Sequence, residues 1–410
     1  MTNPFSKAVV RDPDDLARHQ EMTRRGVFSL THLEIWWRDR ATFLESRGYR
    51  LRPRFRPGWE PSWSSRNLNP FFCEDGQIHL IRKVMDATRI SDGRKVAIKQ
   101  VSTGTPEVDI GSMLSTPESL KDPTNHCVPI LDHFSDPEEP SITYIVMPLL
   151  LPYDEPEFYD ISEMLNFISQ LLEGLVYIHK RSVAHRDLSY LNIMMSGNKL
   201  YPRGFHPSDQ RLLPNAEDDT KPFRRREVGY VRYYIVDFGL SLYYDDPDMP
   251  RMTYGRDGQD REVPELHTGK QYDPFKVDIY TLGNQIQKTF LDKYTNVDFV
   301  SPLVKAMLNN DPAKRPSAEE ALAQFRQIRK RIGWLSALRR LRKKDETDRE
   351  RRLRNIHSVI LILILPFVYL LGYTSRALRG LLSRFLRQSK NILSRKRRAG
   401  PSAQSSLNPS

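Results

Sequence analysis

Four short runs hold the residues able to do chemistry. The densest is His185-Arg186-Asp187-Leu188-Ser189-Tyr190-Leu191-Asn192, where an acid is followed five residues later by an amide. Lys99 ends a Val-Ala-Ile-Lys run, Glu107 stands a few residues on with Asp109 as its alternative, and Asp237 opens Asp-Phe-Gly. A lysine, several carboxylates and an amide are the residue types that position anionic phosphate, hold a hard divalent cation and take up a hydroxyl proton. No single run is specific. Their weight lies in their order along the chain.

The stretches around these residues predict the elements that carry them. IRKVMDATRI, a turn at Ser91-Asp92-Gly93-Arg94 and KVAIKQV read as a β-hairpin that presents Lys99. Glu107 begins a helix with apolar residues three and seven positions on. Ile142 to Leu150 reads as a buried strand, and Ile161 to Lys180 as a strong helix with apolar residues at alternating spacings of four and three. That helix delivers the chain to Asp187. Asn192 to Met195 and Val231 to Gly239 read as paired strands, separated by a polar insert at about 196–229 that the composition predicts to be a surface loop. Further on, Val263-Pro264-Glu265, an apolar helix with an early Asp278, and Arg315 in NDPAKRP supply an acid, a second acid and a base. Buried, each of these charges needs a partner.

Taken together, the set is similar to a eukaryotic-type protein kinase domain, over about 76–330. The runs NHCVPILD, HRDLSYLNIMM, FHP and NDPAKRP also resemble a group of fungal protein kinase-like proteins. The resemblance implies an α+β, two-lobed fold, with a small β-rich lobe, a large α-helical lobe and ATP with Mg2+ between them. It implies that Lys99, paired with Glu107, contacts the phosphates and that Asp187 is the catalytic base, with Arg186 beside it. Asn192 and Asp237 would hold magnesium, and Val84, Ala97 and the backbone of Pro148 and Leu150 would hold the adenine end. Arg186 would favour an anion on the activation segment, which makes Thr253 and Tyr254 candidate phosphorylation sites.

Three features depart from that pattern. The glycine positions of a phosphate-covering loop, counted back from Val84, fall on Gln77, His79 and Arg82, whose side chains obstruct close backbone approach to phosphate. Ser189 stands where Ser/Thr-specific kinases carry a lysine that touches the γ-phosphate, so the choice among hydroxyls is not assigned, serine and threonine standing ahead of tyrosine. GRDGQDREVPE lacks the usual threonine and aromatic residues before Pro-Glu. The charged residues of the chemistry all remain. The function expected is a protein kinase acting on an unnamed protein substrate; the alternative is a pseudokinase scaffold.

Composition bounds the rest. Two cysteines, Cys73 and Cys127, make no disulfide framework and suit a reducing compartment. The net charge of +12 would suit nucleic acid if it were spread evenly, but it gathers after about Arg326, beside an apolar run. That argues for lipid and against nucleic acid. Residues 1–75 read as an extension whose tryptophans pack on the domain, and 331–354 as a charged linker. Residues 355–375 carry no formal charge and at 1.5 Å per residue reach roughly 31 Å, the length of a transmembrane helix. A basic tail follows at 376–410. With no signal peptide at the start, the expectation is a single-pass protein whose kinase domain faces the cytosol.

Overall fold

The computed structural model describes residues 7–246 and 250–356. Its small lobe is an antiparallel sheet of β1 (Tyr49–Arg50), β2 (Val84–Arg89), β3 (Lys95–Ser102), β4 (Asp132–Ser135) and β5 (Ile142–Pro148), in the order β1-β2-β3-β5-β4. The pairing register sorts its side chains, because partners directly opposite share a face. Val84 opposes Lys99, Asp86 opposes Ala97, and Ile145 and Met147 oppose Lys99 and Ala97 from the other side. These residues line the face towards the large lobe. Met85, Ala87, Val96, Ile98, Tyr144 and Val146 point the other way, into an apolar cluster.

That cluster moves a boundary. The sequence reading divided the chain at 75/76, yet Trp37, Leu44, Leu51 and Phe55 are buried in the same cluster as the sheet, and Tyr49 supplies its edge strand. Full burial of such side chains is worth about 1.5–3 kcal/mol each, so the sheet and residues 37–55 are one unit. Residues 51–83, between β1 and β2, form a long strap that contains Gln77, His79 and Arg82, the positions counted for a glycine loop. Arg54 holds the strap to Glu34 by two bonds of 2.9 Å, with both side chains at 0% exposure. Glu34 also accepts from the Thr31 and His79 backbone N–H groups, which together with Arg54 outweigh the effect of burial and keep its pKa low.

The large lobe is built on the helix Ile161–His179, N-capped by Asp160 and buried along most of its length. β6 (Leu151–Pro152), β7 (Val183–Ala184), β8 (Ile193–Met195), β9 (Tyr233–Ile235) and β10 (Leu242–Tyr243) lie beside it as two small sheets, and the helices Pro274–Ile286, Ser301–Met307 and Ala318–Arg331 complete the core.

Two more expectations change. The insert 196–229 is no loose loop: Leu200 and Tyr201 enter the large-lobe core and His206 is fully buried. Its apolar residues were outvoted by the polar ones around them in the composition. The segment 331–354 is no free linker either. Leu341 is buried, its N–H donates to the Tyr159 carbonyl at 2.8 Å, and Arg340 forms a bidentate pair with Glu346 at 2.7 and 2.8 Å. Basic composition hid a docked segment. No described helix is long and apolar enough to cross a membrane. The span expected at 355–375 lies outside the described residues apart from its first two, as does the tail 376–410.

Candidate active site

Lys99 lies on the cleft face of β3 because it alternates with Ala97 against the buried Val96 and Ile98. The helix Pro106–Met113 brings Glu107 to it: Lys99 Nζ donates to Glu107 Oε1 at 2.5 Å and lies 2.8 Å from Asp237 Oδ1. Asp109, the alternative partner, is exposed. Burial opposes the Lys99 ammonium, but its two carboxylate neighbours outweigh burial and raise its pKa. Burial likewise opposes the Asp237 carboxylate, and Lys99 more than offsets it, so Asp237 titrates below the usual range. Burial holds Glu107 above its usual range against the pull of Lys99, whose charge is shared with Asp237. Gly239 makes room for this contact; a Cβ there would lie 3.2 Å from Glu107 Oε2.

The opposite wall is the run from His185 to Asn192. Its backbone is held by Asp278, wholly buried on the helix Pro274–Ile286, whose carboxylate accepts from His185 N–H at 2.7 Å and Arg186 N–H at 2.6 Å. Those two bonds hold Arg186 at φ +69°, a conformation side chains rarely adopt. Asp237 is similarly left-handed at φ +66°. Desolvation lowers the pKa of His185, and the neutral ring fits its contacts: Nδ1 accepts from Asp187 N–H at 3.3 Å while Nε2 faces the Val236 carbonyl at 3.1 Å. Asn192 turns its NH2 to the Asp187 carboxylate at 2.7 Å. Its carbonyl oxygen is then the ligand it can offer a cation. The Asp237 side chain is 44% exposed, so one carboxylate and one amide oxygen are the donors these two residues can offer. That donor set fits magnesium, which takes few protein ligands and shares the rest with phosphate and water. Among the described residues no group of three or more His, Cys, Asp or Glu side chains is arranged as a metal site of its own.

The remaining expected residues divide. Val84 and Ala97 lie on the cleft face, and Pro148 and Leu150 lie where β5 leaves the small lobe for β6. The Arg186 guanidinium is nearly buried and donates to the Leu240 carbonyl, the Tyr254 carbonyl and Tyr272 Oη, with Asp257 at 3.5 Å. Thr253 exchanges two backbone bonds of 2.9 Å with Tyr272, while the Tyr254 side chain is exposed. Arg315 grips Glu265 with two bonds of 2.5 and 2.8 Å, closing the segment that begins at Asp237. Gln77, His79 and Arg82 form no glycine-like loop. His79 is buried, with Nε2 donating to the Val84 carbonyl at 2.5 Å.

Sequence reasoning missed two features. Asp86 lies on the cleft face and is paired with Arg52 from the strap at 2.9 and 3.1 Å; Arg52 also contacts Glu74, His206 and Ser208. The strap is thereby fastened to the insert of the large lobe. Gln259 meets Asp187, with its backbone N–H 2.7 Å from Oδ1 and its Nε2 3.1 Å from Oδ2. Gly255 and Gly258, both at positive φ, were the sequence signal for a sharp bend there.

A five-stranded lobe over a helical one, with a lysine and two acids facing an Asp-Asn pair across a cleft, is the protein-kinase class of architecture. The protein kinase domain model matches residues 81–295, more than half of the 410 residues, and the chain belongs to that family. It is 28% identical over 189 residues to the serine/threonine-protein kinase ppk25 of Schizosaccharomyces pombe, covering 40% of this chain and 36% of that one. It is 27% identical over 193 residues to the eIF-2-alpha kinase GCN2 of the same yeast, covering 40% and 11%. The DNA damage response protein kinase DUN1 of Saccharomyces cerevisiae is 30% identical over 114 residues, covering 28% and 19%. The match thus spans about a third of the first of these relatives and less than a fifth of the other two.

Proposed function

We propose that this protein transfers the γ-phosphate of ATP to serine or threonine hydroxyls of a protein substrate. One observation carries the reading: Lys99 bridges Glu107 and Asp237 while Asp187 and Asn192 stand together on the facing wall. Lys99 would orient the phosphates. Asn192 and Asp237 would hold Mg2+, which when bound neutralises charge on the phosphates. Asp187 would orient the acceptor hydroxyl and take its proton, and the relative named a serine/threonine-protein kinase favours that acceptor class. Val84, Ala97, Pro148 and Leu150 would hold the adenine end.

The test is transfer from labelled ATP with magnesium by the full chain, beside Asp187→Asn and Lys99→Met. Label that disappears in both variants is expected. A folded wild-type protein that transfers none rejects the reading.

A second reading is favoured by the strap. Where a glycine hairpin would cover the nucleotide, residues 51–83 cross instead, and Asp86–Arg52 occupies part of the cleft face. A non-catalytic scaffold would need nothing more. Partner binding unchanged by Asp187→Asn, with no phosphate transfer, would select it.

Tethering to a membrane by 355–375, with the kinase domain in the cytosol, belongs to the same proposal and rests on the apolar run and its basic flanks. The full chain is expected to pellet with membranes after alkaline extraction, and a chain ending at 354 to stay in the supernatant. Full-length protein in the supernatant rejects the tether.

A further inference from the structure

Asp187 has more donors than its own loop supplies. An ionised carboxylate offers about four lone-pair sites. Oδ2 accepts from Asn192 Nδ2 at 2.7 Å and from Gln259 Nε2 at 3.1 Å, and Oδ1 accepts from the Gln259 backbone N–H at 2.7 Å. One residue outside the catalytic loop therefore contacts both oxygens, leaving room on Oδ1 for a hydroxyl.

Gln259 is held there by its neighbours. Gly258, at φ +116°, lets the segment run against the catalytic loop; a Cβ would lie 3.1 Å from the Arg186 carbonyl oxygen and 3.8 Å from Asp187 Oδ1. Beyond it, Asp260 accepts from Asn284 Nδ2 at 2.8 and 3.0 Å, and Glu262 pairs with Lys288 at 2.6 Å. Both anchors belong to the helical stretch that also holds Asp278. Ser189 gives the carboxylate no such support, since its backbone N–H donates to the Asp187 carbonyl and its hydroxyl is buried without a partner.

We infer that Gln259 is a positioning residue for the phosphoacceptor step. Its carboxamide and backbone N–H fix the rotamer of Asp187 so that one lone pair of Oδ1 faces the incoming hydroxyl, which Ser189 does not do. The inference rests on the kinase reading. It makes base geometry depend on the activation segment directly, since whatever displaces 258–262 releases Asp187 from two of its three donors.

The experiment compares full-length wild type with Gln259→Ala, the isosteric Gln259→Glu and Gln259→Lys, whose ammonium can reach Oδ2. For peptide phosphorylation, Gln259→Ala is expected to lower kcat about tenfold with KM for ATP unchanged, since one charge-assisted hydrogen bond is lost. Gln259→Glu should lose more, through like-charge repulsion, and Gln259→Lys should recover most of the rate. Thermal unfolding of the nucleotide-free protein, in a double-mutant cycle with Asp187→Asn, reads the contact without activity. Independent effects of the two substitutions in that cycle would overturn the contact. A kcat for Gln259→Ala equal to or above an active wild type would overturn the role. A wild type without transfer overturns the kinase reading itself, an outcome plainly different from the other two.

Discussion

The two walls of the cleft are built on opposite plans. The large-lobe wall takes its residues from one short run and fixes them from beneath: Asp278 holds two backbone N–H groups, and His185 is locked between Asp187 and Val236. The small-lobe wall keeps Lys99 and Glu107 but is roofed by residues 51–83, drawn in from the N-terminal side and tied down by buried arginines. Transfer chemistry tolerates few geometries for a base and a magnesium site, whereas many surfaces can cover a nucleotide. The difference teaches that one wall of this fold can be rebuilt while the other keeps its arrangement.

The largest expected effect breaks the first wall. Asp187→Asn should lower phosphate transfer about 10²- to 10⁴-fold, the usual worth of a positioned base, with the unfolding temperature held to within a few degrees. Activity equal to wild type would remove this wall from the chemistry. Next comes the roof. Arg54→Ala leaves the Glu34 carboxylate buried without its counter-charge, and denaturant unfolding should show a loss of about 3–5 kcal/mol. A loss below about 1 kcal/mol would make the strap an ornament on the lobe.

A gentler cut sharpens the comparison. Arg52→Ala strips Asp86 of its partner on the cleft face. A bare carboxylate there should weaken ATP binding about tenfold, ~1.4 kcal/mol, measured by calorimetric titration with magnesium. Tighter binding would identify Arg52 as an obstruction. The smallest effect concerns pH. Burial lowers the pKa of His185 and of His79, one on each wall, below the ordinary 6.5. The unfolded chain takes up protons near that pH that the folded one refuses, so stability should fall as pH drops below about 6.5 and be flat just above it. His79→Gln should flatten that slope while leaving transfer intact; an unchanged slope would show that His79 does not contribute.

The same contrast governs what the sequence discloses. Asp187, Asn192 and Asp237 lie in contiguous runs whose spacing is itself the geometry, so their positions could be read directly. The choice of Glu107 over Asp109 needed the helix, since only burial separates acids two residues apart. The roof was illegible for a different reason. Arg52 reaches Asp86, 34 residues away, and His206, 154 residues away, and nothing local at either end marks the pairing. The insert misled through composition: its polar majority concealed the buried Leu200, Tyr201 and His206. Gln259 escaped because an uncharged side chain after a glycine carries no chemical signature until the bend places it on Asp187.

The fastening of the strap has a consequence in time. Arg52 grips Asp86 on the small lobe and Ser208 on the insert, and Lys7 reaches Asp219 in the same insert at 2.7 Å. Hinged enzymes exchange nucleotide as fast as their lobes swing, commonly in microseconds to milliseconds. A swing of the lobes has to break the Arg52 contacts with His206 and Ser208 and the exposed Lys7–Asp219 pair, so under the proposed activity ADP release is expected to be slower than in an enzyme without such ties. Were that release the slowest step, the period of the proposed reaction would be set by residues far from the phosphate.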